Sequence, residues 1–188
     1  LTLLSQSKAE AMAVARFCAE NRIYLVFSEM LYRGSADVGW PWRRKVPRSE
    51  FFSKADLDEV VAAAGPYYYG RVCVGEIGGV LYWPKAYTLG RRADNWENLP
   101  ACRDHAQAQA AYVAYCRRWL DFERADVGQG ALMDVDSSLL FKYHAMAGID
   151  ILCLEVMPGD PHLMHAAIRG AARAYGKPWG THIAMQCY

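Results

Sequence analysis

The sequence lacks an excess of charge of either sign. Its 188 residues carry 21 basic and 20 acidic side chains, a formal net charge of +1. That balance gives no long-range field for a polyanion, and no single-sign block exceeds Arg43-Arg44-Lys45, so nucleic acid and anionic membranes are not expected partners. No apolar run approaches the roughly 18 residues needed to span a bilayer, and no charged-then-apolar leader precedes Leu1. A soluble chain is expected. There is also no Cys-x-x-Cys among the six cysteines. Cys18 and Cys116 fall on helical patterns, Cys73 and Cys153 in apolar runs, and Cys102 and Cys187 in less regular segments. Idle thiols packed as small hydrophobes are expected, with a Cys102–Cys116 disulfide as the open alternative. No Gly-x-Ser-x-Gly elbow is present to support a serine nucleophile. The nearest glycine-rich turn, Gly75-Glu76-Ile77-Gly78-Gly79, lacks the Gly-x-Gly-x-x-Gly spacing of a dinucleotide site. No cofactor and no metal are expected.

Apolar residues are plentiful. At 53% hydrophobic and 13% aromatic, the chain can bury a full core, and its length fits one domain at about 150 residues each. The apolar period switches repeatedly between helix-like and strand-like. Helices are predicted at about 5–20, 54–64, 103–125 and 138–147, and from Asp160-Pro161 to Gly176. The second opens on Ser53 with Asp56 three residues on, the spacing of a capping box, and the last on an N-cap followed by an N1 proline. Strands are predicted at 23–27, 71–74, 131–135, 149–156 and 178–185. Continuous apolar strands separated by helices mark a parallel sheet covered on both faces, an α/β fold.

Connection lengths favour a barrel over an open sheet. Helix-to-strand links are short, whereas strand-to-helix links run from about 30 to 52 and from about 77 to 102. All the length lies on the side where a (β/α)8 barrel builds its active site. Five strands fall short of eight, no initiator Met is present, and a strand pattern runs almost to the last residue. The expectation is one incomplete TIM-barrel-type domain over 1–188, with about five βα units and elements missing at both ends.

Each of the first four strands stops at an acid: Glu29, Glu76, Asp134 with Asp136, and Glu155. A carboxylate directly after an apolar run is costly to bury unless something uses its charge. Glu76 and Glu155 stand on strands two apart, roughly 10 Å between backbones at about 4.8 Å per strand. Converging side chains then fall within the carboxyl separations of about 5–9.5 Å that serve glycoside hydrolysis. Asp134 and Asp136 share one face if their strand persists, and Asp134 lies between the two glutamates, placed to tune a neighbour or hold a sugar hydroxyl. Trp40, Trp42, Trp83, Tyr87 and Trp96 lie in the two long connections, where planar rings can stack on a pyranose or pin the loops.

The stretch Ala-Gly-Ile-Asp-Ile-Leu-Cys-Leu-Glu-Val from Ala147, with Ala-Ala-Arg-Ala-Tyr-Gly-Lys-Pro-Trp-Gly-Thr-His after it, resembles the later βα units of TIM-barrel glycoside hydrolases. Gly75-Glu76 resembles their earlier strand-end acid. The resemblance is one of pattern over about 160 residues and identifies no family. It implies a glycosidase acting on O-glycosidic bonds, with Glu76 and Glu155 catalytic and Glu29, Asp134, Asp136, Trp40, Trp42, Trp83, Tyr87 and Trp96 supporting or binding a carbohydrate. The common retaining arrangement has an Asn-Glu pair and its second Glu three strands on. Here Glu76 follows Gly and Glu155 comes two strands later, so acid and nucleophile stay unassigned. The alternatives are a non-catalytic saccharide-binding or inactive barrel fragment and a metal-dependent hydrolase built on Asp160, His162 and His165. A Schiff-base lysine is not expected, because Lys85, Lys142 and Lys177 all miss the strand ends. Oligomeric state and compartment are not readable from the sequence.

Overall fold

The computed structural model describes residues 2–3, 7–28, 53–75, 77–78, 99–126, 130–156 and 159–183. Its elements, in chain order, are β1 (Thr2–Leu3), α1 (Lys8–Asn21), β2 (Leu25–Ser28), α2 (Lys54–Ala64), β3 (Tyr68–Gly75), α3 (His105–Asp126), β4 (Ala131–Asp136), α4 (Phe141–Ala147), β5 (Ile151–Glu155), α5 (Pro161–Tyr175) and β6 (Trp179–His182). The helix ends follow local chemistry. The Ser53 hydroxyl accepts from Asp56 N at 3.2 Å while Asp56 Oδ2 accepts from Ser53 N at 2.7 Å, which completes the capping box of α2. Asp160 caps α5 by accepting from His162 N and Leu163 N, ahead of Pro161. Gly148 and Gly176 end α4 and α5 in the left-handed region, where a side chain would be strained.

All neighbouring strands pair in parallel, in the order β1-β2-β3-β4-β5-β6. Five of them curl through 199°, a half-barrel consistent with a partial βα-barrel. The five predicted strands are all present. The two-residue β1, which pairs Thr2 with Val26 and Leu3 with Phe27, is an addition; a pair of residues carries no period for the sequence to show. Cys102 and Cys116 are free thiols, so the alternative of a disulfide between them does not hold.

Strand alternation divides the core in two. Val26, Val72, Met133, Val135, Ile151 and Cys153 pack together on the concave face. Leu132, Leu152 and Leu154 point the other way, against Tyr115, Cys116 and Leu120 of α3, Phe141 of α4 and Ile168 of α5. Leu25 and Phe27 pack likewise against α1 and α2, through Ala15, Cys18, Leu57 and Val60. Gly70 is required by close approach, since a Cβ there would collide with the Ala131 carbonyl across the β3–β4 pair. Beyond β5 the edge strand β6 leaves Trp179 41% exposed, and Ile183 follows it at 70%.

A buried ion pair joins β3 to α3 inside the outer layer. Arg71 of β3 and Glu123 of α3 are 1% and 0% exposed, and the guanidinium donates to Glu123 Oε2 at 2.9 Å and to the Glu123 carbonyl at 2.8 Å. Such a pair stabilises little relative to an apolar pair of equal volume, but halving it strands a charge. Glu123→Leu alone is therefore expected to lower unfolding free energy by about 3–5 kcal/mol, and Arg71→Met with Glu123→Leu to restore most of it. Urea midpoints at unchanged m-value measure both.

Candidate active-site rim

The carboxyl ends of the strands form a rim whose level is fixed by register. Gly75 of β3 pairs with Val135, Asp136 of β4 with Leu154, and Glu155 of β5 with His182 of β6. β4 therefore lies between β3 and β5, as the strand count required. Glu155 is the last residue of its strand and shares the alternation of Ile151 and Cys153, which places it on the concave face. Its side chain is 19% exposed, and its Oε1 stands 3.9 Å from His182 Nδ1 on the neighbouring strand. Burial holds His182 below its ordinary pKa. Beneath Glu155, burial, with the charges of Asp134 and Glu155 adding to it, pushes the Cys153 thiol up to about 12. Cys153 is thus a protonated, apolar part of the floor rather than a nucleophile.

Asp134 and Asp136 do share one face, but not the face of Glu155. They alternate with Met133 and Val135, so both look into the helix layer, where they are 1% and 0% exposed. Asp134 does stand on the strand between β3 and β5, as expected, but it turns away from the face of Glu155. A strand with a period of two cannot turn Val135 into the concave core and present its neighbours there as well. Instead Asp134 pairs with Nδ1 of His144 on α4, whose Nε2 meets the Tyr112 hydroxyl of α3 at 2.7 Å. Asp136 Oδ2 accepts from Gly78 N at 2.6 Å, and Asp136 Oδ1 accepts from the amide and hydroxyl of Ser138. The Ile77 N–H also reaches Asp134. The two aspartates thus anchor residues 77–78, directly beyond the end of β3, to the end of β4. A side chain at Gly78 would run into Ser138.

Burial shapes the electrostatics of this cluster. It pushes Asp134 up, against the pull of His144. It disfavours the His144 imidazolium too, but the Asp134 charge and hydrogen bond outweigh it and the pKa of His144 ends raised. Burial also raises Tyr112 and Cys116, which stay protonated. Asp134, Asp136 and His144 offer donor atoms within 4.8 Å of one another, a spacing that could hold a metal ion. Yet His144 Nε2 and both Asp136 oxygens already have hydrogen-bond partners, while His144 Nδ1 and Asp134 have their mutual ion pair, so the donors present fit a buried ion pair better than a metal. The Asp160, His162, His165 cluster fares no better. Asp160 is spent on capping, and His165 is engaged by the Pro161 carbonyl at 2.7 Å and Thr181 Oγ1 at 3.2 Å.

Glu29, Trp40, Trp42, Glu76, Trp83, Tyr87 and Trp96 lie outside the described residues. Three residues escaped sequence reasoning: Tyr112, His144 and His182. The first two carry no local signal, because their meeting depends on helices packing across the sheet. His182 did have one, a histidine at the end of an apolar strand in step with Glu155.

Fold and rim together define a parallel α/β half-barrel with an acid and an imidazole on the concave face at the carboxyl ends of adjacent strands. No family model, curated protein or solved structure matches the chain, so its class rests on this geometry.

The Asp134–His144 pair makes a pH prediction. Both pKa values lie above those of the unfolded chain, so the folded state retains a proton that the unfolded state releases. The stability due to the pair is fully present below the unfolded values and is lost as pH rises through the folded ones. Asp134→Asn is expected to cost about 1–3 kcal/mol near pH 6. The gap between wild type and variant should shrink with rising pH in denaturant melts, first between about 4 and 6 as Asp134 loses its proton and then from 6.5 upward as His144 does. A gap that widened with pH would reverse the assignment.

Proposed function

We propose that the protein is a glycoside hydrolase that cleaves O-glycosidic bonds with two carboxylates at the carboxyl ends of its strands. The observation that carries the proposal is Glu155, a half-buried acid ending β5 on the concave face. Its counterpart is Glu76, the residue after Gly75 at the end of β3. The chain on either side of Glu76 is tied to β4, through the Gly75–Val135 pairing and the Asp134 and Asp136 bonds to residues 77–78. Two strand steps separate β3 from β5, about 10 Å between backbones, which suits a pair of acids flanking one bond.

The chemistry asks little else of the protein. One carboxylic acid protonates the glycosidic oxygen as its bond to the anomeric carbon breaks and the bonding electrons stay with that oxygen. The other carboxylate takes the opposite face, either bonding to the anomeric carbon or removing a proton from an attacking water. Net, the elements of water are added across the bond, and both carboxyl groups return to their starting states. The loop residues Trp40, Trp42, Trp83, Tyr87 and Trp96 would supply stacking surfaces for the sugar rings.

The test is turnover of a panel of aryl and natural glycosides by wild type, Glu155→Gln and Glu76→Gln. Each substitution should reduce kcat by about 10²–10⁴-fold, the usual worth of a positioned acid or base, with the fold intact by circular dichroism. Equal turnover by all three proteins would refute the assignment. Binding of oligosaccharide without turnover would replace it with a saccharide-binding barrel.

A further inference from the structure

Resting on the glycosidase reading, we propose that His182 is the positioning residue for Glu155: Nδ1–H of the imidazole donates to Oε1 and holds the carboxyl ionised. On the glycosidase reading this makes Glu155 the nucleophile or base and Glu76 the proton donor.

Several independent features converge on this pair. Glu155 and His182 are register partners on adjacent parallel strands, so their backbones are held side by side rather than by loops. Both follow the alternation that leads to the concave face, His182 in step with Gly180 and Cys153. The gap of 3.9 Å between Oε1 and Nδ1 is about 1 Å longer than a charge-assisted hydrogen bond, and the proposal requires the two side chains to close it. Nδ1 is also shut off from solvent and has no hydrogen-bond partner among the described residues, so Glu155 is the acceptor within its reach. The strand under it is clamped: the His182 carbonyl accepts from Val156 N at 3.5 Å, and Thr181 is bonded to His165, itself bonded to Pro161 at the start of α5.

The chemistry follows from which form of Glu155 the imidazole favours. A donor to a carboxylate stabilises the charged form. A general acid needs the reverse, a neutral carboxyl at working pH. Burial lowers the pKa of His182 and so favours the neutral imidazole, which can give one hydrogen bond through Nδ1–H. In a retaining reaction Oε2 bonds to the anomeric carbon while the bond to the glycosidic oxygen breaks and that oxygen takes the proton from Glu76. Water, deprotonated by Glu76, then displaces Glu155. In an inverting reaction Glu155 takes the proton from the attacking water instead. In either case His182 keeps its own proton.

Two measurements on the whole chain test the proposal. Long-range 15N–1H spectra of the histidine rings report the tautomer. His182 should be the Nδ1–H form in wild type and revert to the commoner Nε2–H form in Glu155→Ala. On 2,4-dinitrophenyl and methyl glycosides, His182→Leu should lower kcat/KM on both by on the order of tenfold or more. His182→Asn, which keeps an amide N–H where Nδ1 lies, should recover most of it. A loss confined to methyl glycosides, whose poor leaving group needs the acid, would overturn the proposal by making Glu155 the donor. A tautomer indifferent to Glu155→Ala, or Asn and Leu variants equally impaired, would also overturn it. If wild type turns over no glycoside, the glycosidase reading fails, while the tautomer shift still decides whether His182 holds Glu155.

Discussion

A residue on a β-strand can look only one of two ways, and in a curled parallel sheet those two ways lead to different solvents. Outward lies the helix layer, where Leu132, Leu152 and Leu154 are buried. Inward lies the concave face with Val72, Met133, Val135, Ile151 and Cys153. Once Val135 is committed inward by its size and apolarity, Asp134 and Asp136 are committed outward; once Cys153 is inward, so is Glu155. The roles of the strand-end acids follow from this parity. Among the described strand-end acids, Asp134 and Asp136 face the helices and become anchors, and Glu155 faces the hollow.

The anchors and the rim are coupled. Asp136 and Asp134 hold the backbone beyond β3 against β4, and His144 and Tyr112 tie the same strand end to α4 and α3. The cluster is buried, and Asp136, Ser138, Gly78, His144 and Tyr112 are joined in it by hydrogen bonds and an ion pair to Asp134, which ties these elements together. A catalytic carboxylate must be held within a fraction of an ångström, and second-tier groups of this kind supply that rigidity. The Arg71–Glu123 pair binds β3 to α3 in a similar manner from the middle of the strand. Thus the polar groups buried in the outer layer brace the chain on both sides of Glu76, while Glu155 is braced from β6.

Much of the fold was legible in the sequence because its signals are local. Apolar runs of strand length, the Ser53 and Asp160 caps and the glycines after α4 and α5 located the elements to within a few residues, and asymmetric connections pointed to barrel-type closure. The two-residue β1 escaped because pairing alone defines it. The candidate site was half legible. A strand-end acid is visible as a break in an apolar run, but which face it takes depends on the phase of the strand. The alternation Met133, Asp134, Val135, Asp136 contains that phase: the two acids share a face, and the apolar Val135 between them claims the concave one. Tyr112 and His144, 32 residues apart, meet only after α3 and α4 dock, which no spacing rule reveals.

The division of the acids by face is the claim from which the rest descends, and carboxyl modification tests it without knowledge of any sugar. The folded protein is treated with a water-soluble carbodiimide and an amine, and peptide mass spectrometry with fragmentation reads the label on each acid. Glu155 should be labelled in the native protein, whereas Asp134 and Asp136 should react only after unfolding. Native labelling of Asp134 or Asp136 at the rate of Glu155, or a Glu155 as inert as they are, would contradict the account.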